Sequence, residues 1–292
     1  MPVAQATQTF AGIENENEFY SHHYLAEVFF GNIRAQLDLW NDAEENGGTK
    51  APPTLLRSLA NRWFIQRGEI GKAKDEPERR QKFLAQQQAM FQALGYHLQP
   101  RELELHPGMS VPVWQVLGEK APHLVIAPAY DAAGNDDDAD DILSQQLTPG
   151  QYDKGEVPPA LKGLSWDSVL SEALFGADHP PRYVILAGLD EWLLLDRFKW
   201  PNNRLLRFNW REILDRRENA TLQAAAALLH RESLAPDTGV PLLETLEENS
   251  HKHAFGVSEN LKYALREAIE AIGNEAARQL RQQAADAKKG FF

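Results

Sequence analysis

Apolar positions recur at helical spacing from the start of the chain. Phe19, Tyr24, Leu25, Val28, Phe29, Ile33 and Leu37 share one face of a helix expected from Glu14 to about Trp40, with Ser21 placed to cap its N-terminus. Asn41 to Pro53 is polar, carries Gly47-Gly48 and Pro52-Pro53, and reads as a loop. A second helix is expected over about Thr54 to Phe64. A third runs over Asp75 to Gly95, with Phe83, Leu84, Met90, Phe91 and Leu94 apolar and Gly95 suited to its C-terminal cap.

The period then changes from helical to extended. Arg101–His106 alternates around Leu103 and Leu105, Val111–Leu117 is apolar, and His123–Tyr130 (HLVIAPAY) has the continuous apolar character of a strand buried on both faces. Asp131 to Pro159 breaks the pattern with a run of aspartates followed by Gly and Pro, and reads as a solvated loop. Trp166–Phe175 predicts a short amphipathic helix. Tyr183–Ala187, Glu191–Arg197 and Arg204–Asn209 predict an antiparallel meander, with turns at Gly188-Leu189-Asp190 and Pro201-Asn202-Asn203. Helix returns from Trp210 to about His230.

The last helix is expected from about Leu242 to Ala287. On it Ala254, Ser258, Leu261, Leu265, Ala268, Ile272 and Ala276 form a stripe that must pack on something. The tail AKKGFF carries no stop signal, which suggests that the chain continues. The expected fold class is α/β (α+β): a mixed sheet of about five to six strands with flanking helices and a long C-terminal helix. The expected organisation is a helical region over 1–100, a mixed-sheet core over 101–210 with an acidic loop at 131–160, and a helical connector over 211–292.

Composition narrows the class. The chain has 292 residues, 43% hydrophobic and 25% charged, enough for a sizeable core. It has no cysteine, which removes thiolate metal sites and disulfides and fits a cytoplasmic protein. Met1–Phe10 shows no signal-peptide pattern and no apolar run is long enough for a membrane span, so no membrane partner is expected. The formal net charge of −12 argues against an autonomous nucleic-acid binder, because phosphate neutralisation supplies most non-specific affinity.

Catalytic signatures are missing. There is no phosphate loop, zinc helix, nucleophile elbow, dinucleotide fingerprint or base-flipping Asn-Pro-Pro-Tyr motif. A PD-(D/E)XK nuclease needs an acidic residue on one strand and Glu-X-Lys on the next, to hold a hard cation and steady the developing charge. The strands at 111–117 and 123–130 come in a suitable order, but Pro128-Ala129-Tyr130 stand where Glu-X-Lys would fall. His22-His23 and His251/His253 diverge on a helix and lack partners for a metal. No catalytic and no metal-ligating residue is assigned.

The most basic stretch is Asp196–Arg217, with seven basic and three acidic residues and Trp200, Phe208 and Trp210 interleaved. Arg197, Lys199, Arg204 and Arg207 are the candidate DNA contacts there, and Lys252 within Asn249–His253 is a candidate on the last helix. An ordinary meander, with arginines alternating into water, explains the same pattern.

Three stretches together resemble a known family: ENEFYSHHYLAEVFFG (16–31), YVILAGLDEWLLLDRFKWPNNRLLRFNW (183–210) and LETLEENSHKHAFGVSENLKYALREAIEAIG (243–273). They look like the N-terminal region of large class I S-adenosylmethionine-dependent, adenine-specific DNA methyltransferases of type II-like restriction–modification and of BREX- and DISARM-associated phage defence. The resemblance implies a degenerate PD-(D/E)XK nuclease-like core followed by a helical connector, with the methyltransferase domain downstream. S-adenosylmethionine would be the cofactor of the parent protein, with none bound by this fragment. DNA would be reached through that parent, and other defence-system subunits are possible partners. No methylating residue carries over, because no position here matches the family's motifs. The expected function is a non-catalytic N-terminal module assisting DNA engagement or docking of the catalytic domain. The alternatives are a metal-dependent nuclease-like domain and a protein–protein adaptor.

Overall fold

The computed structural model describes residues 10–129 and 141–289. The chain's first nine residues, Tyr130, residues 131–140 of the acidic run and Phe291-Phe292 lie outside the described residues. The chain divides into two compact units, one ending at Leu246 and one beginning at Glu247.

The first unit is a mixed α/β structure. Its six-stranded sheet has the order β1 (Ile13–Glu16), β8 (Leu205–Asn209), β7 (Glu191–Asp196), β6 (Tyr183–Ala187), β5 (Leu124–Pro128) and β4 (Gln115–Leu117). β5 and β6 are parallel, and every other pair is antiparallel. The predicted meander is present in β6–β7–β8. A separate hairpin pairs β2 (Arg101–His106) with β3 (Met109–Val113).

Strand alternation builds two cores. Leu124, Ile126, Tyr183, Ile185, Trp192, Leu194, Leu206 and Phe208 face one layer of helices. These are α1 (His22–Glu27), α2 (Phe29–Gly47), α3 (Pro52–Gly71), α4 (Glu76–Ala93), α6 (Trp210–Arg216), α7 (Asn219–Leu229) and α8 (Arg231–Leu234). Val125, Ala127, Val184, Leu186, Leu193 and Leu195 face the opposite way. They meet the β2–β3 hairpin and the segment from Ile142 through α5 (Trp166–Ser168) to a π-helical turn at Val169–Leu174.

Several boundaries differ from the sequence reading. The first helix does not start at Glu14: Ile13–Glu16 is an edge strand on β8, and helix begins only after Ser21, whose hydroxyl accepts from the Tyr24 N–H. α2 runs on to Gly47, and Gly48 ends it in the left-handed region at φ 69°. The apolar run 111–117 is not one strand. It splits at Trp114, whose N–H donates to the Ile126 carbonyl at 2.7 Å while its own carbonyl accepts from the Gln99 N–H at 2.6 Å. The helix expected over Trp210–His230 breaks at Arg217, which is left-handed at φ 52°. The long last helix is present as α9 (Leu242–Lys289).

One buried polar network ties the helices to the sheet. The Trp192 indole N–H donates to Gln87 Oε1 at 2.8 Å, and Gln87 Nε2 donates to the Gly188 carbonyl at 3.3 Å. The Trp192 ring stacks on Phe91 at 3.9 Å between centroids.

His230 closes α7 and opens α8. Its Nδ1 accepts from the Glu232 N–H at 3.2 Å, and its ring lies 5.0 Å from that of Trp40. Burial, assisted by the neighbouring Arg231 charge, lowers its pKa to about 4. The folded state therefore holds His230 neutral while the unfolded chain protonates it below the ordinary value of ~6.5. Its contribution to stability is complete above pH ~6.5 and is lost as pH falls toward 4. Protonation also removes the acceptor that caps α8. Urea unfolding should show ~1–2 kcal/mol more destabilisation between pH 7 and pH 4.5 in the native sequence than in His230→Asn, which keeps a capping acceptor but does not titrate. Equal slopes in the two proteins would refute this role for His230.

Candidate nucleic-acid interface

The stretch singled out for its basic residues forms the end of β7, the loop to β8 and β8 itself. Asp196 ends β7 and is buried. Its Oδ1 accepts from the Phe198 N–H at 2.8 Å, which turns the chain, and its Oδ2 accepts from Arg182 Nη2 at 2.8 Å. A 3₁₀ turn at Trp200–Asn202 follows, anchored by the Trp200 indole N–H to Ser171 Oγ at 2.9 Å. Asn203, left-handed at φ 53°, closes the loop, and its carbonyl accepts from Asn17 Nδ2 at 2.7 Å.

This framework spends two of the predicted DNA contacts internally. Lys199 is buried: its Nζ donates to the Phe19 carbonyl and sits 4.1 Å and 4.5 Å from the ring centroids of Phe19 and Tyr20. Arg207 bonds Glu16 at 2.7 Å and Glu191 at 2.8 Å, and approaches Asp141 at 3.3 Å, locking β1, β7 and β8 together. Burial alone would lower the Arg207 pKa, but the bonds to Glu16 and Glu191 outweigh it and raise the pKa. Neither cation is offered to solvent, so both leave the set of phosphate contacts. Lys252 lies in the other unit on α9 and pairs with Glu248 at 2.7 Å.

Arg197 and Arg204 remain on the loop, both half-buried. Beside them stand two residues that the sequence reading passed over. Phe198 is 60% exposed, and the guanidinium carbons of Arg182 and Arg197 lie 4.2 Å and 4.7 Å from its ring centroid. The Nε atoms of both arginines are buried without a hydrogen-bond partner. A guanidinium stacked on an aromatic face keeps its in-plane N–H donors free for carboxylate or phosphate oxygens. Arg182 lies outside the basic stretch by sequence. The register Tyr183↔Asp196 brings it beside Arg197, whose N–H donates to the Arg182 carbonyl at 2.9 Å.

The nuclease geometry is a separate matter. Pro128 ends β5, and its carbonyl accepts from Gln151 Nε2 at 3.2 Å. It borders a 440 Å³ cavity whose carboxylates are Glu102 and Asp153. Glu102 is held there by the Ser110 hydroxyl at 2.6 Å and the Asp153 N–H at 3.0 Å. Among the described residues no three His, Asp or Glu side chains are grouped to hold a metal ion. Tyr130 and Asp131 lie outside the described residues. No described helix is long and apolar enough to cross a membrane.

Comparison with family models, with curated proteins and with solved structures finds no match. The arrangement itself is a surface aromatic that holds two arginines, on a loop braced by Asp196 and Lys199. Arg207→Met should lower stability by ~1–2 kcal/mol in urea, because it leaves Glu16 and Glu191 facing each other, with the effect moderated by their exposure. It should leave any DNA affinity unchanged. A loss of affinity without loss of stability would return Arg207 to the interface.

Proposed function

We propose that this chain is a non-catalytic module of an adenine-specific DNA methyltransferase in a restriction–modification or phage-defence system. In this reading it assists DNA engagement through the β7–β8 loop. The observation that carries the DNA role is the exposed Phe198 ring with the Arg182 and Arg197 guanidiniums against it. The resemblance of residues 16–31, 183–210 and 243–273 to the N-terminal region of that family supports the methyltransferase setting.

The physical role follows from the charges. The net charge of −12 repels DNA at long range, so contact depends on a few well-placed cations rather than on a broad basic field. Arg197 donates to phosphate oxygens, and Phe198 holds its guanidinium in place. Asp196 offsets much of the Arg182 charge and makes Arg182 chiefly a brace. Such contacts position a duplex without reading its sequence. Base recognition and methyl transfer, with S-adenosylmethionine as donor, belong to the catalytic domain of the parent protein.

Two measurements test the proposal. Electrophoretic or anisotropy titrations should show weak, salt-dependent DNA binding by this chain. Arg197→Ala should reduce the slope of log affinity against log salt by about 1, and Phe198→Ala should weaken binding by a few-fold while leaving the fold intact. DNA binding absent at low salt, or unaffected by both substitutions, defeats the DNA role. With labelled S-adenosylmethionine and DNA, the chain alone should transfer no methyl group. Robust transfer would show that it is not a non-catalytic module.

A further inference from the structure

The unit beginning at Glu247 is helical, part of α9. Its apolar positions are exposed: Leu261 is 68%, Leu265 59% and Ile272 70% accessible, and Ala254, Ser258 and Ala268 on the same stripe are also exposed. From Ala254 to Ile272 the stripe advances by alternating steps of 4, 3, 4, 3 and 4 residues, which keeps it on one face of the helix. Cations away from the seam are neutralised within the helix. Lys262 pairs with Glu259 at 2.6 Å, Arg266 with Glu270 at 2.9 Å and Arg278 with Glu275 at 2.8 Å.

Charge indicates which partner fits. Residues 247–292 carry seven acidic and seven basic residues, so the whole net charge of −12 resides in residues 1–246. The net repulsion between two copies therefore comes from residues 1–246 and not from this segment. Charge is also graded along it. Residues 247–259 hold Glu247, Glu248 and Glu259 against Lys252, while residues 273–285 hold Arg278 and Arg281 against Glu275. Taken as whole segments, an antiparallel pairing sets the net acidic end of each helix beside the net basic end of the other, whereas a parallel pairing stacks like on like.

We propose that this helix pairs antiparallel with the same helix of a second copy, centred between Arg266 and Glu267. That register sets Leu261 opposite Ile272 and Leu265 opposite Ala268. At the centre Leu265 thus meets the small Ala268 across the two-fold axis, while Leu261 and Ile272 bring two large apolar side chains together on either side.

The absence of cysteine makes the register directly testable. Sedimentation of the full chain from low micromolar to about 100 µM should give twice the chain mass. Leu265→Glu with Ile272→Glu should weaken association by about tenfold or more, through desolvation of buried carboxylates, while the urea transition of the first unit stays unchanged. Mixed Ser258→Cys and Glu275→Cys chains should form a disulfide-linked heterodimer under mild oxidation, and Ser258→Cys alone should not link to itself. A monomer throughout the range overturns the proposal, whether the stripe is bare or covered by another segment of the protein. Larger assemblies without fixed stoichiometry overturn it too, as does self-linkage of Ser258→Cys, the mark of a parallel pair.

Discussion

Everything in the first unit answers to three strands that are apolar on both faces. Leu124–Pro128 and Tyr183–Ala187 are buried along their whole length, and so is Glu191–Asp196 beyond its first residue. Such strands cannot lie at a surface, so the sheet needs a cover on each side. Helices supply one. The other is assembled from a hairpin, a π-helical turn and irregular chain, closed by Trp166, Leu161 and Tyr152. At about 25 cal/mol for each Å² of apolar surface removed from water, burying these central strands is the main drive toward this layering. For Trp192 the polar cost is met locally: Gln87 takes the one hydrogen-bond donor that it brings into the core.

The same constraint decides where the cations go. A sheet buried at its centre leaves charge at its edges and ends, and the edges here are pinned by ion pairs. Arg207 gathers carboxylates from β1 and β7, and Arg67 forms a two-pronged bond to Asp190 at 2.6 Å and 3.0 Å at the β6–β7 turn. A basic stretch in the sequence is therefore a poor guide to a basic surface. Parity along β8 puts Arg207 among acids, and the turn after Asp196 drives Lys199 inward. The loop tip keeps only what the framework does not consume.

Much of the fold was legible. The meander and the last helix follow from periodicity, the strand at 124–128 from its continuous apolar run, and Ser21 caps its helix as side-chain chemistry dictates. The misses share a cause. Ile13–Glu16 is IENE, a short polar segment with no period of its own, and it is a strand only because β8 offers an edge. The run 111–117 is apolar apart from Gln115, and no turn residue marks Trp114 as the point where the chain leaves one sheet for another. Arg182 was missed because its neighbours are set by register across β6 and β7 rather than by sequence distance. Within the candidate site, the sequence showed which residues were basic; pairing across strands decided which of them remain available.

Charge is partitioned between the two units: residues 1–246 carry the net −12, and the segment from Glu247 is neutral. Electrostatic interactions in physiological salt fade over about 8 Å, so an acidic body is no barrier to a cation already touching a phosphate. It would weaken every encounter before contact and leave the proposed DNA-contacting loop few ion pairs to hold a duplex. The proposed pairing of the neutral helix would change this arithmetic without adding a single basic residue. When two loops sit on one assembly, binding by the second becomes intramolecular, at an effective concentration set by geometry rather than by the bulk. On the proposed pairing and the proposed DNA contact, two such loops would hold a duplex more firmly than one, which would give the exposed apolar stripe and the sparse cationic tip a common physical purpose.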